Sequence, residues 1–400
     1  MRNDSSRRQH SALAVSSLAF GAFASVTTEF IPVGVLPEVA QSFSVSPGQA
    51  GLMMTLPGVL GALAAPGVLM AAGRLDRKWL LVTLSALLLV SATTSAIAHS
   101  WTLMLVSRAL AGVSLGAFWA MGLAVAGGLV ASEKAGSAIA AVFGGVTLAM
   151  ILGVPLGAMV AEHSSWRGAF IAAASLAALA FILQLIFLPR ITAGESMRPS
   201  HLARFFKRST GRKSLLLIAL IYGTHFGTYT YVAPLLKNAQ VSPSAISWAL
   251  LGFGLSGFVA NFVASHYVGR LRITLSVALC AFIAALFLLT QLHATLPLVF
   301  AVIIWGAAWG AAPLCLNIGN RNASGEDIEA GSAMFTFTAQ VSIALGSAMG
   351  GFIVDQLGLE ADFLSGASLI VLSLVVLWFW RVDTAVKKQD ERALCRDVQD

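Results

Sequence analysis

Residues 11–37 read SALAVSSLAFGAFASVTTEFIPVGVLP, with Glu29 the one charged side chain among them. As a helix rising ~1.5 Å per residue, this stretch is long enough to cross a hydrocarbon core of ~30 Å. It is too long for the apolar region of a signal peptide, roughly 7–15 residues. Small residues that would suit cleavage (Ala22, Ala24, Ser25) are followed by Thr27, Thr28 and Glu29 inside the same stretch, so it reads as a retained span. Outward from it, Glu38 is the only other Asp, Glu, Lys or Arg between Ser11 and Gly73, and long apolar runs recur as far as Trp380. The chain of 400 residues is 57% apolar and 11% charged, with a mean hydropathy of +0.82. A soluble domain is about half apolar and a quarter charged, and could not hide this much hydrocarbon. The expected fold is an all-α integral membrane protein of about twelve helices.

The spans are read at 12–36, 49–71, 79–98, 101–128, 138–161, 168–188, 214–236, 245–268, 273–292, 296–318, 330–352 and 362–380. Turn formers or charges separate them, as in Ser44 to Gly48 and Asn320 to Asp327; very short loops at two places leave ten or eleven spans open. With the N-terminus inside, 22 of the 25 Lys and Arg fall on the inner side. The outer side receives Arg167 and Lys237, and Arg108 lies within a span. The positive-inside rule then places both termini in the cytoplasm of a multi-pass protein of the plasma (inner) membrane. The pI near 9.7 does not indicate nucleic acid, because, Arg108 apart, the basic residues are confined to the connections and ends. Cys280, Cys315 and Cys395 form neither a disulfide framework nor a metal spacing.

Pro189 to Lys213 is the one long internal connection, basic at Arg190, Arg198, Arg204, Lys207, Arg208, Arg212 and Lys213. It reads as a topology determinant, or as a tether for anionic lipid head groups. It also divides a repeat. Gly73-Arg74-Leu75 returns as Gly269-Arg270-Leu271 at an offset of 196, and Gly136-Ser137-Ala138 as Gly331-Ser332-Ala333 at 195. A duplicated six-span unit follows: an N-terminal bundle over 1–188, a linker over 189–213, a C-terminal bundle over 214–380 and a tail over 381–400.

Between spans two and three lies Gly73-Arg74-Leu75-Asp76-Arg77-Lys78. With the twelve-span layout it resembles the signature loop of the major facilitator superfamily. The resemblance implies that the acid caps a helix and pairs with a basic residue, latching the inward-closed state; the alternative is that Arg74, Arg77 and Lys78 only set topology. The fifth span carries Gly145, Gly153, Pro155 and Gly157, similar to the motif of the drug/proton antiporter branch, although Ala158 stands where that motif has a further glycine. The run from Arg108 to Trp119 resembles the same branch's fourth-span motif, whose arginine faces the cavity. Thr27 to Gly34, Gly116 to Trp119, and His225-Phe226 with Tyr229 to Tyr231 look like the sugar-efflux and purine-ribonucleoside-efflux members.

An ionisable group at mid-bilayer costs ~2.5–3.5 kcal/mol to insert, so each needs a reason. Glu29 is the one acid well inside a span as drawn, and Arg108 falls at a similar depth. The pair reads as proton-coupling residues, with Glu29 as carrier or substrate ligand, or else as a static ion pair. Tyr222, His225 and Tyr229 share a helix face and are candidates for the substrate cavity, with Trp119 and Asn261, then Trp305, Trp309 and Gln340. No phosphate-binding Gly-x-x-x-x-Gly-Lys-Ser/Thr loop occurs, so no nucleotide cofactor is expected. A potential of ~150 mV supplies roughly 3.5 kcal/mol per charge, about a 300-fold gradient, which is enough for a secondary transporter. The expected activity is proton-driven export of a small organic molecule by a monomer. A proton-coupled uptake symporter is the alternative, and a membrane enzyme is disfavoured by scattered histidines without His-x-x-x-His or Glu-x-x-His spacing.

Overall fold

The computed structural model describes residues 2–72, 75–131, 134–191, 205–325 and 328–379. Gly73 and Arg74 of the motif loop, most of the basic linker and the chain from Trp380 onward lie outside the described residues.

Twelve long helices run through the described residues: α1 (Arg2–Phe43), α2 (Leu52–Ala72), α3 (Arg77–Ala96), α4 (Trp101–Gly128), α5 (Ala135–His163) and α6 (Trp166–Phe187), then α7 (Ser209–Tyr229), α8 (Pro243–His266), α9 (Leu271–Gln291), α10 (Thr295–Ser324), α11 (Ile328–Leu357) and α12 (Leu359–Phe379). Eleven are long and apolar enough to cross a membrane by themselves. A twelfth is counted when α7 is joined to the short helix Val232–Asn238, from which it is bent by 40°. The sequence reading expected an unbroken span over 214–236, and Pro234 accounts for the break. Proline has no N–H, so the carbonyl four residues earlier, that of Thr230, has no helical donor, and the chain turns there. The Thr230 hydroxyl donates back to the Phe226 carbonyl at 2.6 Å, closing the end of α7.

The helices start where local chemistry starts them. Ser46, Asp76, Ser100, Ser165 and Ser242 each accept from an amide of the following turn, ahead of Pro47–Ala50, α3, α4, α6 and α8. Their outer faces carry exposed Ile186, Phe262, Val277 and Phe352, the surface that lipid would cover.

Packing repeats between the halves. In the first, α1 packs on α5 and α6, α2 on α4, and α3 on α4 and α6. In the second, α7 packs on α11 and α12, α8 on α10, and α9 on α10 and α12, the same pattern advanced by six helices. The halves meet along α2–α11 and α5–α8, which exchange under the same operation. These are two pseudo-symmetric six-helix bundles.

Glycines set the close crossings in both bundles. A Cβ on Gly112 would lie 2.6 Å from Pro57 Cα, and one on Gly116 would overlap the Gly61 backbone. The second half repeats this with Gly306 on Phe253 and Gly310 on Gly257. Likewise Gly153 and Gly157 of α5 press on Thr27 and Ile31 of α1, as Gly346 and Gly350 of α11 press on Gly223 and Gly227 of α7. Gly145 belongs to the same seam, against Ala19. Gly116→Leu and Gly310→Leu are therefore expected to lose most folded protein, since overpacking costs ~1–3 kcal/mol even where side chains can yield and backbone cannot. Gly144→Leu, where a Cβ meets open space, should leave the yield of monodisperse protein unchanged.

Candidate functional site

Pro32 in α1 and Pro57 in α2 each lack an N–H, so the carbonyls of Thr28 and Met53 have no helical donor. Arg108 of α4 supplies both. Its Nη1 donates to Thr28 O at 3.0 Å, its Nε to Met53 O at 3.1 Å, and its Nη2 to Glu29 O at 3.0 Å. The side chain is fully buried, and its rigid planar fork fits three acceptors on two helices. The sequence reading left a static Glu29–Arg108 ion pair open. The guanidinium hydrogen-bonds backbone carbonyls, including that of Glu29, while staying within electrostatic range of the Glu29 carboxyl, which is buried with Oε1 lacking a hydrogen-bond partner.

Unpartnered buried polar atoms are rare in folded proteins. Among them here are Thr27 Oγ1 and Glu29 Oε1 on α1, Thr224 Oγ1 and His225 Nδ1 on α7, and Gln340 Nε2 on α11. Gln340 lies against Gly61 of α2, a Cβ on which would be 3.2 Å from its Nε2, so it sits where the halves meet.

The predicted face of α7 divides. His225 lies flat on Trp309, with 3.5 Å between ring centroids and 5° between planes, and is surrounded by Tyr229, Phe253, Phe282 and Trp305. His225 and Tyr229 are thus buried within the second bundle. Tyr222 is half-buried against Trp309 and Phe335, and its neighbour Phe226 stacks on Phe30 of α1 at 5.4 Å, across the two halves. Trp119 is half-buried between Phe118 and Phe143. Asn261 is exposed and donates to Gly310 O at 3.0 Å, bracing the α8–α10 crossing.

Sequence reasoning missed Asp362. The twelfth span, drawn from residue 362, made it a boundary residue, yet α12 begins at Leu359 and Asp362 is only 3% exposed, with Oδ2 unpartnered. It lies beside Gly350 of α11 and within electrostatic range of Tyr231. Glu29 is therefore not the only acid buried inside a span.

In the motif loop, Asp76 Oδ1 accepts from Lys78 N at 2.9 Å, capping α3, and from Ile191 N at 3.0 Å; Arg77 N in turn donates to Ile191 O at 2.9 Å. The loop thereby straps down the start of the linker just beyond α6. The Ile191 amide above all, with the Lys78 amide and the charges of Arg190 and Lys78, holds the Asp76 carboxyl below its ordinary value against an opposing effect of burial. A carboxyl lowered in the folded state stabilises it above the usual carboxylate range, and that contribution is lost as pH falls through the lowered value. Asp76→Asn is expected to slow transport at unchanged protein abundance, with protease cutting of the linker raised at neutral pH. The difference in cutting should vanish at acid pH, where the wild type is itself protonated; full transport at equal expression would remove Asp76 from the mechanism.

A model described as "Major Facilitator Superfamily" matches residues 18–238 and 215–395. Among curated relatives, the transcription regulatory protein OpdE of Pseudomonas aeruginosa is 31% identical over 93% of this chain and 94% of its own. The purine ribonucleoside efflux pump NepI of Escherichia coli O6:H1 is 27% identical over 91% and 93%, and that of Salmonella paratyphi B is 28% identical over 91% and 92%. Among solved structures, a bacterial homologue of the human lysosomal transporter Spinster, in an inward-facing and unoccupied conformation, superposes with a TM-score of 0.69 at 16% identity, covering 92% of this chain and 95% of that one. The human organic anion transporter MFSD10 (TETRAN) superposes with a TM-score of 0.65 at 17% identity, covering 93% and 99%. Nearly the whole length is matched, and the helices pair in two related bundles: the chain belongs to the major facilitator superfamily.

Proposed function

We propose that this transporter exports a small organic molecule, of the sugar, nucleoside or drug-like class, in exchange for protons. Its likeness to efflux pumps for purine ribonucleosides supports export, and the half-buried aromatic rings of Tyr222, Phe335 and Trp119 suit a substrate with a flat or ring-shaped body. The observation that carries proton exchange is the Glu29 carboxyl, buried with an unpartnered oxygen while Arg108 is engaged with backbone carbonyls. A buried carboxyl not held by hydrogen bonds can take and release a proton as its surroundings, the nearby Arg108 included, change. The two bundles rock about their α2–α11 and α5–α8 contacts, each side opening in turn. The basic end, with Arg77, Lys78, Arg190, Arg270, Arg272 and Arg321, faces the cytoplasm of the inner membrane, and the far end faces outward.

The test is substrate flux in everted vesicles, with substrates chosen by a growth-resistance screen over sugars, nucleosides and drugs. Export predicts uptake into everted vesicles driven by an inside-acid gradient and accompanied by alkalinisation of the lumen. A symporter would instead carry substrate and protons out of the vesicle together, so that loaded substrate leaves the lumen as the lumen turns alkaline. The name of the Pseudomonas relative brings no second reading, because, Arg108 apart, the basic residues of this chain are confined to its connections and helix ends.

A further inference from the structure

At the far end the halves are joined by contacts that no motif of the sequence foretold. The corner between α1 and α2 faces one stripe of α11, residues 347, 351 and 355. Ser46 Oγ donates to Asp355 Oδ2 at 2.6 Å, and Gly48 N donates to Asp355 Oδ1 at 2.9 Å. One turn back along α11 the two backbones touch, so that a Cβ on Gly351 would lie 2.8 Å from Gly48 O. A further turn back, Ser347 Oγ donates to Gly51 O at 3.2 Å, while Tyr231 OH donates to Ser347 O at 2.9 Å. Beside this stripe Lys237 pairs with Glu38 at 3.2 Å.

The internal repeat supplies a comparison. Val45-Ser46-Pro47 returns as Val241-Ser242-Pro243, and Glu162 follows Gly157 by five residues as Asp355 follows Gly350. The second bundle thus presents the same corner to the same kind of helix end. Both serines cap their own helices, Ser46 accepting from Gln49 N at 3.0 Å and Ser242 from Ala245 N at 3.3 Å, yet Glu162 is exposed where Asp355 reaches across. The positions equivalent to Gly48 and Gly351 are Ser244 and Ala158, so neither is glycine in the second corner. The clasp is one-sided, and the corner that makes it is the one with glycine on both faces.

We propose that Asp355 is a positioning residue for transport, its carboxylate reaching across the halves to Ser46 and Gly48 as the latch that holds the pathway shut at the far end. A carboxylate accepting both an O–H and an N–H makes charge-assisted bonds, stronger than neutral ones and lost together when the corner moves. Gly48 and Gly351 form the seat that lets it reach. This inference rests on the alternating-access reading, since a latch matters only if the end opens.

The test uses full-length protein in proteoliposomes with Cys280, Cys315 and Cys395 replaced by Ser. Ser347→Cys, a position fully buried under the clasp, reports opening through its reaction with a membrane-impermeant maleimide. Adding Asp355→Asn should raise the labelling rate about tenfold, while Glu162→Gln, its unengaged counterpart, should not change it. Equal labelling with and without Asp355→Asn would overturn the latch. In a second arm, Ser46→Cys with Asp355→Cys is oxidised: transport should stop and return on reduction, and undiminished transport by the cross-linked protein would also overturn it. Labelling needs no substrate, so a parent protein that transports nothing would count against export while the labelling rates still decide the latch.

Discussion

In proteoliposomes, Glu29→Gln is expected to abolish uphill efflux and substrate-induced proton movement while retaining substrate binding and folded yield. The amide matches the carboxyl in size, and Arg108 reaches this residue through its backbone carbonyl, a bond the substitution does not touch. What changes is that position 29 can no longer exchange a proton. Alternating access then loses the step in which one side favours the protonated and the other the unprotonated form, and only downhill flux survives. Release of protons on substrate addition, followed with a pH dye in lightly buffered proteoliposomes, reads this directly. If Glu29→Gln pumps uphill at the wild-type rate, the proton travels elsewhere, and Asp362 and His225, each buried with an unpartnered polar atom, are the next to test. Asp362→Asn separates these, because it lies next to the far-end clasp and His225 lies within the aromatic core.

The spans were legible because hydrocarbon leaves long apolar runs that no soluble fold tolerates, and their ends were legible because capping serines and charges punctuate them. The span over 101–128 coincides with α4, and most other ends differ by a few residues. The one architectural miss, the bend after Tyr229, came from weighing hydropathy over the single Pro234. The motifs gave the family, whereas the roles of single residues depend on which neighbour a side chain meets. A Glu and an Arg at similar depth read as a pair, because an ion in lipid wants a counter-ion. That reading overlooked that prolines leave carbonyls which an arginine satisfies as well as a carboxylate does. Pro32 and Pro57, each four residues after an acceptor of Arg108, were the available signal. The aromatic face of α7 was only partly legible for a related reason. Periodicity shows that Tyr222, His225 and Tyr229 share a face but not whether Trp309 already covers it. The glycine motif of α5, which the resemblance tied to antiport, recurs in α11 with the same close approach, so its physical role is helix crossing.

Arg108→Ala is expected to cost most of the folded protein. It strips hydrogen-bond donors from the carbonyls of Thr28, Glu29 and Met53 in a fully buried layer. Each buried acceptor left alone costs ~1–3 kcal/mol in a protein interior, and more where lipid excludes water. Two of the three have no helical donor to fall back on, so the sum approaches the whole stability of many domains, about 5–15 kcal/mol. Arg108→Lys should fare little better, because a compact ammonium cannot span acceptors on two helices as a planar fork does. The rescue is specific. Pro32→Ala and Pro57→Ala restore the amides that would bond Thr28 O and Met53 O within their own helices. Adding both to Arg108→Ala should recover much of the thermal stability lost, measured as the midpoint of loss of monodisperse protein on heating in detergent. Recovery of folding without recovery of efflux would mean that the bends at Pro32 and Pro57, and the arginine that permits them, shape the path on which Glu29 works. If Arg108→Ala instead folds like wild type and loses only proton coupling, the arginine acts on the Glu29 carboxyl through its charge and the clamp on the two helices is incidental.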